Sequence, residues 1–530
     1  MKRDRQRGAL RASPGLRRLA SVVLRLALGA WLLCASCSGG AGLAIVPLCP
    51  GPVPLTAAEV ETLLAQAAAR ALADGNAYVL TVVNRDGVVV GLFAMTGVPA
   101  GFVDSCRAKA RTAAFLSSNQ HAFSTRTARF IIQDNFPPGL PNTAGGPLYG
   151  VQFSSLACSD AVGESAGSVT TTGNGLSGDF GSVPLYRGGC LVGAIAADGG
   201  GDDAFEERAA WAGSMGFRPS PAIFGENVFV DGVSLPFLRE MPGDLPPAPP
   251  LASFAGALLV PPMDAPPDLS FPTALYGGLS CEVRYPVIDS PAAAATKLLA
   301  ADVMAVLDAA AARSDRVRAG IRLPLGVAAR VFVSVVDLDG VVLGSIRTPE
   351  ATLFSFDVSV QKARTAAFFS SGAAALTTRG LGFLAQGFFP PGIAGAPLGP
   401  LHGLQETLSV ACGPGALPLA NGITIFPGGI PLYKGGVLVG AIGVSGDGVD
   451  QDDFIAAAGA DLFPPTAGAR GDTLAEADLV AHLKAKLAAI AGATADPAIL
   501  AAVAASDTRL DAGLQGIRLP YVKFPRAPFR

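Results

Sequence analysis

The sequence predicts an α+β protein that consists of two tandem copies of one domain. Two observations support this fold class. Four sequence blocks recur in the same order along the chain, and helical patterns alternate with β-hairpin patterns within each copy. Helices that alternate with antiparallel hairpins make a layered α+β domain instead of a doubly wound parallel sheet. A chain of 530 residues also exceeds what one hydrophobic core usually serves.

The clearest repeated block is Lys-Ala-Arg-Thr-Ala-Ala-Phe, which occurs at 109–115 and again, 253 residues later, at 362–368. Three further blocks recur at spacings of 253, 253 and 247 residues: 82–89 with 335–342, 136–139 with 389–392, and 184–195 with 431–442. Four ordered matches at a nearly constant spacing indicate an internal duplication.

Each copy is predicted to open with an amphipathic helix. In the first copy, Thr56 and Glu59 have the spacing of a capping box. In the second copy, Ser290 is the predicted N-cap and Pro291 takes the first helical position.

A β-hairpin follows each opening helix. In the first copy its strands are predicted at 78–83 and 88–93, around an Asp-Gly turn. The helix with the repeated block comes next, and then a loop rich in Gly, Pro, Ser and Thr. A second hairpin turns at Gly188-Gly189 in the first copy and at Gly435-Gly436 in the second, and it leads into a last helix.

The predicted boundaries follow from composition. Residues 242–268 are rich in proline and aperiodic, which is typical of a linker. The predicted segments are a signal peptide at 1–37, a first domain at 45–241, the linker, and a second domain at 275–530. The second domain carries an Ala-rich helical insertion at about 472–505, where Thr473 and Glu476 have capping-box spacing.

The first 37 residues have the pattern of an export signal. A basic segment precedes a short apolar run, Leu26 to Leu33, and small residues follow. The segment 33–37 resembles a bacterial lipobox with Cys37 as the lipidated residue, so lipidation and simple cleavage both remain open. We expect an exported protein of the bacterial cell envelope, lipid-anchored, or a periplasmic or extracellular one.

Composition and motifs exclude several functions. The formal net charge of −3 gives no basic excess for nucleic acid. No later segment is long and apolar enough to span a bilayer, so the expected membrane contact is limited to an N-terminal lipid anchor. No zinc-type Cys/His cluster and no hydrolase or nucleotide-binding motif is present, and we expect no metal site and no familiar catalytic residues.

The cysteines predict disulfide bonds in an exported protein. Cys49 and Cys158 in the first copy have apparent counterparts in Cys281 and Cys412, which predicts the pairs Cys49–Cys158 and Cys281–Cys412. Two further cysteines occur in the first copy alone, and a third bridge or two buried thiols are both open for them: Cys106 and Cys190.

The repeated blocks resemble the GlcG/HbpS-like haem-binding family. The resemblance rests on the strand pair around Asp-Gly, on Lys-Ala-x-Thr-Ala, and on a Gly-Gly hairpin that ends in Gly-Ala-Ile-Gly-Val-Ser-Gly at 440–446. It implies two tandem profilin-like domains, each a five-stranded antiparallel sheet with helices on both faces. It also implies binding of haem or another tetrapyrrole, degradation of haem in some members, and a homo-oligomer.

Under this resemblance, the repeated helix carries the candidate ligand residues. Cations would pair with haem propionates and a threonine hydroxyl would lie near the iron; the alternative is that the helix packs on the sheet and its cations are solvated. The ligand candidates are Lys109, Arg111, Thr112, Lys362, Arg364 and Thr365. The candidate iron ligands are His121, Tyr149 and His402, and no c-type attachment motif exists, so haem would be noncovalent.

The leading hypothesis is an exported binding protein for haem or a related tetrapyrrole. A cofactor-free structural or interaction protein of the envelope is the first alternative. A haem-degrading or small-metabolite enzyme is the second, and the sequence favours a non-enzyme without deciding it.

Overall fold

The computed structural model describes residue 46 and residues 48–133, 135–149, 176–390, 393–410 and 417–522. The predicted signal peptide, its lipidation candidate Cys37, and Cys158 and Cys412 lie outside the described residues. Within the described part of the chain, no helix has both the length and the apolar character that a membrane span needs.

The first copy is built on a five-stranded antiparallel sheet, which confirms the predicted α+β class. Its strands are ordered β3-β4-β1-β2-β7. The elements in chain order are α1 (Ala57–Ala73), β1 (Val79–Asn84), β2 (Val89–Met95), α2 (Phe102–Phe115), α3 (Thr125–Ile131), β3 (Ser182–Arg187), β4 (Cys190–Asp198), α4 (Asp203–Gly213), a small hairpin of β5 (Phe229–Val230) and β6 (Val233–Ser234), and β7 (Gly256–Val260).

The second copy repeats this arrangement on a six-stranded sheet. Its strands are ordered β12-β13-β10-β11-β9-β8. The elements are β8 (Thr273–Tyr276), β9 (Leu279–Tyr285), α5 (Ala300–Ser314), β10 (Val331–Val336), β11 (Val342–Arg347), α6 (Ser355–Phe369), α7 (Thr378–Leu384), α8 (Leu404–Val410), β12 (Gly429–Lys434), β13 (Val437–Gly446), α9 (Val449–Ala460), α10 (Glu476–Gly492) and α11 (Pro497–Asp511).

Helices cover both faces of each sheet because successive side chains of a strand point to opposite faces. In β1, Leu80 and Val82 join a core with α1 and α4. Val79 and Val83 join a second core with α2. The same division in the second copy places α5 and α9 on one face and α6 on the other.

The strand registers confirm the duplication residue by residue. Val82 pairs with Ile195 in the first sheet, and its counterpart Val335 pairs with Ile442 in the second. The register shift between Val82 and Val83 recurs at the equivalent step of β10. The two copies therefore share backbone detail as well as sequence blocks.

The chain between the two copies is not a simple linker. Within the predicted linker, β7 pairs with β2 and completes the first sheet. Pro261 and Pro262 directly follow this strand, and proline is tolerated at such an edge because an edge strand leaves amides unpaired. Composition alone predicts an aperiodic linker here. The segment nevertheless forms a strand, because it pairs with β2.

Two predicted helix starts are also corrected. The opening helix of the second copy begins at Ala300, because Ser290 donates its hydroxyl to Asp337 Oδ2 (2.8 Å) in the sheet instead of capping a helix. The inserted helix α10 has Ala475 as its N-cap, and Glu476 accepts a hydrogen bond from Gly516 N (2.7 Å). The helix buries one apolar face, which consists of Leu479, Leu483, Leu487 and Ile490.

The disulfide in the first copy joins Cys49 to Cys190, so the predicted pair Cys49–Cys158 is wrong. The second hairpin contacts the segment before α1, where Arg187 Nη1 donates to Pro54 O (3.1 Å), and this proximity brings Cys190 to Cys49. Cys106 and Cys281 are buried thiols, and burial raises the pKa of each to about 12.

A buried arginine joins the two copies. Arg322 is fully buried and forms an ion pair with Asp447 in its own copy. Its Nη1 donates to Ser118 Oγ of the first copy (3.1 Å) and its Nη2 to Glu350 O (2.5 Å). Glu350 in turn binds Arg85 of the first copy at 2.9 Å. These contacts fix the placement of one copy against the other.

We expect Arg322→Met to lower the free energy of unfolding by about 3–5 kcal/mol, because it leaves the buried Asp447 carboxylate without its cation. Urea unfolding of the purified chain measures the loss. Arg239→Met is the control, since it breaks an exposed ion pair with Asp202 (3.9 Å) that should contribute about 0–1 kcal/mol. Equal losses in both variants would contradict a special role for Arg322.

Candidate functional site

The lysines of the repeated helices are buried inside ion-pair clusters. Lys109 Nζ lies 2.7 Å from Asp198 Oδ1, 2.7 Å from Glu206 Oε2 and 2.9 Å from Asp179 Oδ2. Lys362 Nζ lies 2.8 Å from Asp452 Oδ2 and donates to Val444 O at 2.7 Å. Both lysines are therefore paired with internal carboxylates.

An arginine extends each cluster. Arg126 of α3 binds Glu207 through Nε and Nη2 at 2.8 Å each. Arg379 of α7 binds Asp453 through Nε and Asp450 through Nη2, both at 2.7 Å. In each copy, two cations and neighbouring acids of α4 or α9 thereby link three helices. We call this set of residues the charge cluster of each copy.

The other predicted ligand residues of the repeated helix stabilise local backbone. Arg111 Nε donates to Gly87 O (3.2 Å), and Arg364 Nε donates to Gly340 O (2.9 Å), so each arginine supports the Asp-Gly turn of the first hairpin. The threonine hydroxyls are buried and accept hydrogen bonds from the loop before the second hairpin. The bonds are Ser177 N to Thr112 (2.8 Å) and Thr424 N to Thr365 (3.0 Å).

The two clusters differ in charge, and the pKa values differ with them. Burial lowers the pKa of Lys109, but Glu206 and Asp198 outweigh burial and raise it above its ordinary value. For Lys362, burial outweighs the attraction of Asp452, and the pKa falls. Burial also raises the pKa of Glu206 to about 7 and that of Asp452 to about 6. The first cluster therefore holds its cation more strongly.

Three carboxylates of the first cluster have metal-like spacing. The ligand oxygens of Asp179, Asp198 and Glu206 lie within 4.8 Å of one another. Lys109 Nζ is within 2.9 Å of all three, so an ammonium already supplies the cation that such a group requires. Asp202 is the N-cap of α4, and its side chain accepts from Ala204 N (2.9 Å).

The structure does not leave His121 available as an iron ligand. Its ring is fully buried, Nε2 donates to Leu116 O (3.0 Å), and Nδ1 accepts from Ser118 Oγ (2.9 Å). Burial, with the nearby charge of Arg322, lowers its pKa well below the usual range. His402 is half-buried next to α11, and its carbonyl accepts from Arg509 Nη2 (2.7 Å).

A cavity of about 490 Å³ lies between the two copies. Its first wall comes from Leu116, Phe123, Ile131 and Tyr149. The facing wall comes from the second copy and contains Phe354, Ile425 and Phe426. Ligand pockets in proteins usually enclose about 300–1,000 Å³ and are mostly apolar with a few polar groups. The size and the mixed lining of this cavity are those of a site for a largely apolar small molecule.

The polar end of the cavity belongs to the second charge cluster. Lys362, Arg379, Asp450 and Asp452 all line it. Among the predicted site residues, only Lys362 and Tyr149 contribute to this lining in the described part of the chain. Sequence reasoning missed Arg379 and the aromatic walls, although the sequence contains one signal for Arg379: Arg126 recurs there at the 253-residue spacing.

The duplicated fold and the cavity between its copies define a class of protein, a tandem α+β domain protein in which both copies line a cavity. The chain belongs to the HbpS-like family, whose description is haem degrading protein HbpS-like. The family matches residues 55–214 and 305–461, which together span more than half of the chain.

Individual relatives match single copies. An uncharacterized 15.0 kDa protein from the dhaT-dhaS intergenic region of Citrobacter freundii is 33% identical over 133 residues, which are 25% of this chain and 75% of that protein. The corrinoid adenosyltransferase PduO of Salmonella typhimurium is 32% identical over 126 residues, 24% of this chain and 30% of that protein. A crystal structure of a PduOC–haem complex shares 28% identity with a TM-score of 0.23, covering 31% of this chain and 94% of that one.

The raised pKa of Glu206 predicts a pH-dependent stability. The folded protein keeps this proton up to about pH 7, whereas the ordinary value for the carboxyl is 4.5. The folded state therefore binds more protons between these values, and stability falls as the pH rises through them, by at most about 1.4 kcal/mol per pH unit. Urea unfolding between pH 5 and pH 8 should show a shallower slope for Glu206→Gln. Glu61→Gln, a substitution of an exposed residue, is the control. An unchanged slope for Glu206→Gln would contradict the raised pKa of Glu206.

Proposed function

We propose that this protein binds haem or a related tetrapyrrole noncovalently in the cavity between its two copies. The observation that carries the proposal is the cavity itself, with aromatic and aliphatic side chains from both copies on facing walls. A macrocycle is flat and largely apolar, so burial between such walls would be favourable in proportion to the apolar area removed from water. Membership of the HbpS-like family supports the choice of a tetrapyrrole.

Tyr149 is the proposed iron ligand. It is the one predicted iron-ligand candidate among the described residues of the cavity lining. A tyrosine phenolate is a known axial ligand of ferric haem. His121 is excluded by its two internal hydrogen bonds, which use both ring nitrogens.

A titration of the purified chain with haemin, followed by absorbance, tests the proposal. We expect a Soret shift that saturates at one haemin per chain, because both copies contribute to one cavity. Tyr149→Phe should change the spectrum of the bound haem and weaken binding about tenfold, or 1.4 kcal/mol. Tyr276→Phe, on the edge strand β8 and away from the cavity lining, is the control. The absence of a Soret shift would contradict binding, and an unchanged spectrum for Tyr149→Phe would contradict ligation by Tyr149.

Degradation of haem is the second candidate, because the family description names a haem degrading protein. The same haemin complex separates the two functions when ascorbate is added in air. Steady loss of the Soret band with release of a product supports degradation, whereas a stable band supports binding alone.

We also propose that the protein is exported. The basic and apolar segments before residue 38 support this, and so does the Cys49–Cys190 disulfide, because disulfides persist in oxidising compartments. Intact-mass analysis of the native protein should give a mature N-terminus near Cys37, with or without a lipid, and a mass two hydrogens lower than that of the reduced chain. A native chain that retains Met1 would contradict export through this signal.

A further inference from the structure

In the first copy, the surface beside the end of the repeated helix α2 is covered by the second copy. Apolar side chains of both copies form one core there. The first copy contributes Leu116, Phe123, Ile131 and Phe136, and the second copy contributes Leu323, Phe354, Val358 and Phe426. We call this surface of the first copy its docking face.

In the second copy, the equivalent surface is covered by the inserted helix α10. The counterparts of the four docking-face residues, at the 253-residue spacing, are Phe369, Leu376, Leu384 and Phe389. They share a core with Leu479, Leu483, Leu487 and Ile490 of α10 and with Ile499, Val503 and Leu510 of α11. The insertion therefore packs on the second copy where the second copy packs on the first.

Polar contacts at the ends of the two repeated helices show the same exchange. In the first copy, Phe115 O at the end of α2 accepts from Phe354 N of the second copy (3.5 Å). In the second copy, Phe369 O at the end of α6 accepts from His482 Nε2 of α10 (2.7 Å). Lys486, also in α10, donates to the next carbonyl (2.9 Å), and a cation at the end of a helix is favourable.

The insertion replaces a short hairpin of the first copy. Gly225 and Gly471 are equivalent, because the amide of each donates to the carbonyl at the same alanine position, at 3.1 Å and 2.9 Å. The Leu-Pro pairs at 235–236 and 519–520 are equivalent again. Between these points the first copy has β5 and β6, whereas the second copy has α10 and α11.

The opposite side of the contact is not repeated in the first copy. The second copy docks through three apolar residues whose first-copy counterparts are small or polar. Phe354, Val358 and Phe426 correspond to Gly101, Ser105 and Asp179, at spacings of 253, 253 and 247 residues. Gly101 and Asp179 are exposed. The first copy therefore lacks the apolar side chains with which a domain of this kind binds a docking face, and arrays of repeats commonly end in such polar outer faces.

We infer that α10 and α11 are an intramolecular cap over a second docking face, whose partner would be a further domain of the same kind in another copy of this chain. Four apolar residues of α10 are at most 3% exposed against this face. Without the cap, the face would be a contiguous apolar patch, and such patches drive association. The cap limits the array to the two copies in the chain.

A substitution inside the cap tests this inference in the full chain. Leu483 is fully buried in α10, so Leu483→Asp places a charge against the docking face and should loosen the cap. Light scattering over a concentration series should give a weight-average mass at least about twofold above that of the unchanged chain, the smallest step that association of two chains allows. Leu500→Asp, at a leucine of α11 that is 38% exposed, is the matched control and should leave the mass unchanged.

A second variant removes the cap altogether. Residues 472–518 are replaced by residues 226–234, the hairpin that the first copy has between the equivalent positions. Cooperative melting of its ellipticity shows that this variant is folded. Its mass should then rise with concentration in the same way as that of Leu483→Asp, and the rise should reverse on dilution.

The alternative is that α10 and α11 only enlarge the core of the second copy, and the outcomes separate the two. A folded cap-less variant with the mass of the unchanged chain at every concentration would overturn the inference. Equal association of Leu483→Asp and Leu500→Asp would overturn it too, because the covered face would not be the cause. If Leu483→Asp unfolds, the cap-less variant decides; loss of cooperative melting in both would assign the helices to the core and reject the cap.

Discussion

A lysine buried under a β-sheet needs a carboxylate, because an unpaired ammonium in the protein interior costs several kcal/mol. This constraint organises both copies. Lys109 and Lys362 are carried by the helix under the sheet, and their partners Glu206 and Asp452 lie in the equivalent helices α4 and α9. The pair therefore fixes α4 or α9 to the helix of the repeated block, and it does so at the same place in both copies. The lysine of the repeated block stabilises the fold of each copy. The block therefore does not by itself indicate which residues bind a ligand.

The copies satisfy the same constraint with different charge. Three carboxylates surround Lys109, whereas Lys362 has one carboxylate and a backbone carbonyl. Part of the difference comes from a single position in the sheet. Asp198 pairs with Val79 across β1 and β4, and the equivalent residue of the second copy, opposite Phe332, is Ser445. Replacement of a carboxylate by a hydroxyl leaves the second cluster less negative.

The sequence predicted the features that local patterns encode. The first hairpins and the capping box of Thr56 follow from turn residues and short-range spacing, and the structure confirms them. The features that the sequence did not predict depend on residues that are far apart along the chain. The carboxylates of Lys109 are 89 and 97 residues away, and the disulfide closes 141 residues. Strand β7 forms in a proline-rich segment only because β2 offers an open edge. No periodicity or spacing in the sequence predicts such contacts. The cavity between the copies was not predicted for the same reason, because its lining residues are far apart along the chain.

Covalent duplication lets the two walls of one cavity change independently. In a dimer of identical chains, every substitution appears twice and the cavity stays symmetrical. In this chain the buried contacts of Arg322 hold two unequal copies in one arrangement, so a substitution alters one wall alone. Tyr149 stands on the wall of the first copy, and Lys362 on that of the second. An asymmetrical ligand, apolar over most of its surface and charged at one edge, gains from such a cavity because each edge meets a different chemistry.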